Sequence, residues 1–151
     1  MSGDIDFYWG IDKLTNTGSF SGDILGSAGS KTIDNTGTMT GNIEITYATT
    51  TLTNAGTLVG YVSTFSYADN ISNTGEITGS LNLSGGTDTL FNSGQIGGSV
   101  QFGINEDQML NSGTVAGSVL LLGGNDTYTA AGDGVVLGGI EGGAGDDTIT
   151  G

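Results

Sequence analysis

Asn16, Asn35, Asn54, Asn73, Asn92 and Asn111 stand 19 residues apart, and each is followed two places later by glycine: Gly18, Gly37, Gly56, Gly75, Gly94 and Gly113. A second glycine recurs four places further on, at Gly22, Gly41, Gly60, Gly79, Gly98 and Gly117. A fixed period of this length is the mark of a stacked-repeat architecture, in which one unit cannot bury its own apolar side chains and relies on its neighbours to do so.

Numbering the unit from its Asn, the apolar residues fall in columns. Position 5 reads Phe20, Met39, Leu58, Ile77, Ile96, Val115, and position 9 reads Ile24, Ile43, Val62, Leu81, Val100, Val119. Position 18 reads Ile33, Leu52, Ile71, Leu90, Met109, Tyr128, while position 11 is apolar in several copies, at Ile45, Leu83, Phe102 and Leu121. The spacing is two within short runs broken by glycine-bearing turns, which predicts strands and not helices. Identical units stacked at the ~4.8 Å interstrand spacing give every column a continuous core. The expected fold is therefore an all-β, single-domain parallel β-solenoid covering residues 1–151, with right-handed coiling from crossover chirality. The absence of proline fits, since each would remove a ladder donor.

The register extends to both ends. Gly3, Ile5, Phe7 and Leu14 take positions 7, 9, 11 and 18, and after a two-residue insertion near Asp133 and Gly134, Gly138, Ile140, Asp147 and Ile149 take positions 7, 9, 16 and 18. That makes about eight rungs. Neither end reads as an amphipathic helix or a polar degenerate rung, so uncapped ends are expected.

Composition removes most functional classes. There is no Cys or His, and 16 acidic residues face two lysines, Lys13 and Lys31, for a net charge of −14. No thiolate or imidazole exists for a zinc, haem or iron–sulfur site, and no Ser-His-Asp triad can form. Two cations make no phosphate-binding stripe, so no nucleic-acid partner is expected. No apolar run approaches 18 residues, and no membrane insertion is expected. Carboxylate pairs such as Asp146/Asp147 and Glu106/Asp107 lack a long loop to build the cleft that acid–base chemistry needs, so an enzyme is not expected.

Two columns carry polar chemistry. The Asn column predicts a ladder whose inward-turned side chains bond backbone at the strand ends. Position 16 reads Asp12, Lys31, Thr50, Asp69, Asp88, Asp107, Asp126, Asp147, and such stacked carboxylates repel unless solvent, salt or a cation screens them. The stretch Gly142-Gly143-Ala144-Gly145-Asp146-Asp147-Thr148-Ile149-Thr150 satisfies the nonapeptide pattern whose turns bind Ca²⁺ in β-rolls, whereas Asp88 and Asp126 keep only part of it. Asp88, Asp107, Asp126, Asp147, Gly143 and Gly145 are thus candidate Ca²⁺ residues, with solvated carboxylates in tight turns as the alternative.

Runs such as NTGEITGSLNLSGGTDTLFNSGQIGGSV and NSGTVAGSVLLLGGNDTYT resemble the β-strand repeats of bacterial autotransporter passenger domains and RTX-type exported proteins. The resemblance implies a solenoid fold and an extracellular or cell-surface location. With uncapped ends in nearly matching register, the leading expectation is a structural subunit that pairs with itself, head to tail, through Ile5, Phe7, Trp9, Asp12, Ile140, Asp147 and Ile149. A rigid spacer in an adhesin is the alternative. Ice binding is a third, resting on outward positions 4 and 6, where only Thr38 and Thr40 form a threonine pair.

Overall fold

A computed structural model describes residues 1–151. Each rung of the chain but the last, which makes two, makes three strands, which in the first are β1 (Ile5–Phe7), β2 (Gly10–Asn16) and β3 (Ser19–Ser21). Every strand pairs in parallel with its counterpart in the next rung, so the 23 strands form three sheets of eight, eight and seven. The pairs fall 19 residues apart, as in Ile5↔Ile24, Leu14↔Ile33 and Phe20↔Met39. The molecule is an all-β parallel β-solenoid of about eight turns with no helix.

The insertion sits where the repeat predicts it. Asn111 pairs with Ala130, but Val115 pairs with Val136, so the two extra residues lie between Ala130 and Val135. A turn at Gly132 and Asp133 absorbs them, and the later columns resume with Val119↔Ile140 and Tyr128↔Ile149.

The apolar columns at positions 5, 9, 11 and 18 meet inside and, with Ala48, make one core of 23 buried residues. Ile5, Phe7 and Leu14 at one end, and Val136 and Ile140 at the other, pack against this core while only partly buried. The Asn-x-Gly glycines are required by the stacking itself. A Cβ on Gly94 would run into the carbonyl oxygen of Gly75, whereas one on Gly18, in the first rung, meets nothing.

The second sheet changes midway. Its first three strands have seven residues each, and from Asn70–Asn73 onward four, apart from a final strand of three at Thr148–Thr150. The change coincides with the start of the uninterrupted Asp run at position 16. Thr50 donates its backbone N–H to Asp69 Oδ1 at 2.6 Å, so a side-chain oxygen takes the place of a ladder carbonyl and the preceding backbone is released into the turn.

Candidate functional site: an inward polar corner

Strand alternation decides where position 16 points. In β2 and its successors positions 16, 18 and 1 share a face, and positions 18 and 1 are the apolar and Asn columns of the interior. Position 16 therefore turns inward as well. Lys31 and Asp88 are wholly buried, and Thr50, Asp69, Asp107 and Asp126 nearly so, while Asp12 and Asp147 in the end rungs are partly exposed. Solvated turn carboxylates do not describe this column.

Each Asp is anchored the same way. Asp69 N–H donates to Asp88 Oδ1 at 2.8 Å, Asp88 N–H to Asp107 Oδ1 at 2.7 Å, Asp107 N–H to Asp126 Oδ1 at 2.7 Å and Asp126 N–H to Asp147 Oδ1 at 3.0 Å. The second oxygens are less well served. Asp107 Oδ2 accepts from Gly103 N–H at 3.2 Å, but Oδ2 of Asp69, Asp88 and Asp126 is buried without a partner.

Burial is the main cause that raises the carboxyl pKa at Asp69, Asp88, Asp107 and Asp126. At Asp88 the value is pushed up to about 8, because the Asp69 and Asp107 charges add to burial and outweigh the Asp69 N–H. At Asp69 the hydroxyls of Thr64 and Thr50 oppose the rise. Asp88 thus keeps a proton that an exposed aspartate would have released at neutral pH.

Lys31 answers the same problem differently. Its ammonium donates to Asp12 Oδ2 at 2.7 Å, Ala28 O at 3.0 Å and Gly10 O at 3.3 Å. Position 11 of that rung is Gly26, where a Cβ would run into Ile45 Cδ1 and lie in contact with Lys31 Cγ, so the Lys31 stem passes directly beside the missing side chain.

The candidate Ca²⁺ residues are brought partly together. Asp88, Asp107, Asp126 and Asp147 share the column, but no three acidic side chains converge as a metal-holding group. Gly143 and Gly145 lie in the last turn with φ of 101° and 135°, and side chains there would strike the carbonyls of Leu122 and Gly124. Close rung stacking accounts for both glycines.

The Asn column is a continuous amide ladder. Nδ2 of Asn16, Asn35, Asn54, Asn73 and Asn92 donates to Oδ1 of the next Asn at 2.7–2.9 Å, and Asn111 ends the run on Tyr128 Oη at 3.2 Å. Each amide also reaches a backbone carbonyl one rung on, as Asn54 does at Glu76 O, 3.0 Å.

Of the junction residues, Ile5, Phe7 and Asp12 lie in the first rung and Ile140, Asp147 and Ile149 in the last. Trp9 stands on the outer corner, 84% exposed. The threonine-rich surface lies on the second sheet, away from positions 4 and 6. Thr51/Thr53, Thr127/Thr129 and Thr148/Thr150 form outward pairs there, interrupted by the Lys13–Asp34 ion pair and by Phe91 and Leu110.

No protein-family model matches this chain, and no curated protein or solved structure does either.

Proposed function

We propose that the chain is a structural subunit that stacks head to tail into an extracellular β-solenoid filament. The observation that carries this reading is the condition of the two end rungs. Ile5, Phe7 and Leu14 at one end and Ile140 and Val136 at the other are core-column residues only partly covered, and their strands lack a neighbour on one side. Open parallel edges of this kind template further pairing.

Continuing the repeat from one copy to the next brings Ile149 over Leu14, Ile140 over Ile5 and Val136 toward Met1. The contact is heterologous and does not close, so it propagates. The same register sets Asp147 over Asp12 and Glu141 over Asp6. Like charges facing across strands disfavour pairing, and Ca²⁺ enters this reading as the counter-ion that relieves the junction. The location rests on the resemblance to exported repeats. A rigid spacer segment, in which more of the same repeat covers these edges within one longer chain, draws on the same contacts.

Negative-stain microscopy and sedimentation velocity of the purified 151-residue chain, with and without millimolar Ca²⁺, test the filament. Fibres with an axial repeat of about 38 Å, eight rungs at ~4.8 Å, are expected. Ile149→Asp should leave the far-UV spectrum intact and abolish them. Monodisperse monomers under all conditions overturn the filament and leave the spacer.

A further inference from the structure

We infer that the interior corner formed by Thr50, Thr64 and Asp69 is a binding site for a dehydrated monovalent alkali cation. Three buried polar atoms meet here without a well-formed hydrogen bond: Thr50 Oγ1, Thr64 Oγ1 and Asp69 Oδ2, the two hydroxyls lying near enough to favour the Asp69 charge. The residues are 2%, 0% and 3% exposed. Register brings them together. Thr50 and Asp69 are adjacent members of the position-16 column, locked by the Thr50 N–H to Asp69 Oδ1 bond, and Thr64 ends the preceding strand of the Asp69 rung, at position 11. Positions 11 and 16 of one rung touch inside the corner, as Gly26 shows with Lys31 and Gly142 with Asp147.

Thr64 is the one polar side chain in its column. Its neighbours above and below are Ile45 and Leu83, with Phe102 and Leu121 beyond, all wholly buried. Where those side chains are apolar, position 11 only covers the corner. In the Thr64 rung it contributes an oxygen and fills less space, and three buried oxygens held without well-formed hydrogen bonds cost free energy unless something satisfies them.

The molecule already contains a filled version of this site. Two rungs earlier the same column holds the Lys31 ammonium, bonded to one carboxylate and two backbone carbonyls, beneath a position 11 emptied to glycine. The Thr64 rung repeats the arrangement with a small residue at position 11, one carboxylate and two neutral oxygens, but no ammonium. One carboxylate with two hydroxyls is a hard, singly charged oxygen set, which suits Na⁺ or K⁺ better than a divalent ion that demands more carboxylates. The corner lacks the second and third acidic ligands of a calcium cage.

Thermal unfolding of the full chain in NaCl, KCl and choline chloride at equal ionic strength tests this inference. The melting temperature should be about 3 °C or more higher in one alkali salt than in choline. Thr64→Val should fold and erase the difference. Asp69→Asn, which removes the charge at constant shape, should erase it too and serves as the comparison if Thr64→Val does not fold. A crystal grown in Tl⁺ or Rb⁺ should show an anomalous peak among the three oxygens. Equal melting temperatures in all three salts, an ion effect that survives both variants, or a water-only peak overturns the site.

Discussion

Asp69 donates its backbone N–H to Asp88 Oδ1 at 2.8 Å, while Asp88 Oδ2, on the same carboxyl group, is buried with no partner. At Asp69, Asp88 and Asp126 one carboxyl oxygen is a structural acceptor and the other is in an environment that favours a proton, whereas both Asp107 oxygens accept backbone N–H groups. Asp88 consequently carries a pKa pushed up to about 8, from an unfolded value near 4, chiefly by burial. A folded-state pKa above the unfolded one means that the native chain binds the extra proton between those limits. Stability is then fully present below about pH 4 and is lost as pH rises toward 8, the reverse of ordinary acid denaturation. Asp69, Asp107 and Asp126 shift the same way. Urea titrations should give a higher midpoint at pH 5 than at pH 8.5, by an amount corresponding to at most about 4 kcal/mol for Asp88. Asp88→Asn should raise the midpoint at pH 8.5 and flatten the dependence. A midpoint that rises between pH 5 and 8.5 contradicts the assignment.

The amide ladder predicts a position-dependent cost. Asn73 accepts from Asn54 Nδ2 at 2.8 Å and donates to Asn92 Oδ1 at 2.9 Å and Gln95 O at 3.1 Å. Asn73→Ala removes all three and leaves buried partners unsatisfied on both sides, for about 3 kcal/mol. Asn16→Ala, at the partly covered start of the ladder, should cost about half as much. Denaturant unfolding of the two variants compares them directly, and equal midpoints would argue against a cooperative ladder.

The columns at positions 5, 9 and 18 were legible because period and alternation agree in every rung, as Ile24, Ile43 and Val62 show. Asp88 and Asp126 were misplaced for a physical reason. Gly85-Gly86-Thr87-Asp88 reads as turn chemistry, and turn carboxylates are ordinarily solvated. Yet Asp88 sits two residues before the apolar Leu90 and four before the ladder Asn92, and this parity puts it inside. Lys31, in the same column as the aspartates, was the second clue: a cation two residues before a core isoleucine needs an acceptor indoors. What no pattern in the chain conveys is that Oδ1 replaces a backbone carbonyl. That substitution depends on the relative height of adjacent rungs.

Glycine in the Asn-x-Gly column is set by the rung beneath it. Gly94 stands over the Gly75 carbonyl, and Gly18 has open space on the same side. Neither has a left-handed φ, so backbone strain does not enter the comparison. Gly94→Ala should force two rungs apart and cost 3 kcal/mol or more, on the order of a severe overpacking substitution. Gly18→Ala should be nearly neutral, within about 0.5 kcal/mol. Melting temperatures that fall equally for both would mean that the glycines serve flexibility and not close approach.

Lys31 is the buried cation that the corner cannot lose without consequence. Its ammonium satisfies Asp12 Oδ2 and the carbonyls of Ala28 and Gly10, and its stem packs where Gly26 leaves space. Breaking a fully buried ion pair typically costs 3–5 kcal/mol, but the Asp12 carboxylate is 29% exposed, so water recovers part of the loss. Lys31→Met keeps the apolar stem and should cost about 2 kcal/mol, while Asp12→Asn alone should cost about 1 kcal/mol. If the attraction is real, the double variant costs less than the two single ones summed, by about 1 kcal/mol in a double-mutant cycle. Strict additivity would assign Lys31 to packing alone, and would remove the internal precedent for a cation at Thr50, Thr64 and Asp69.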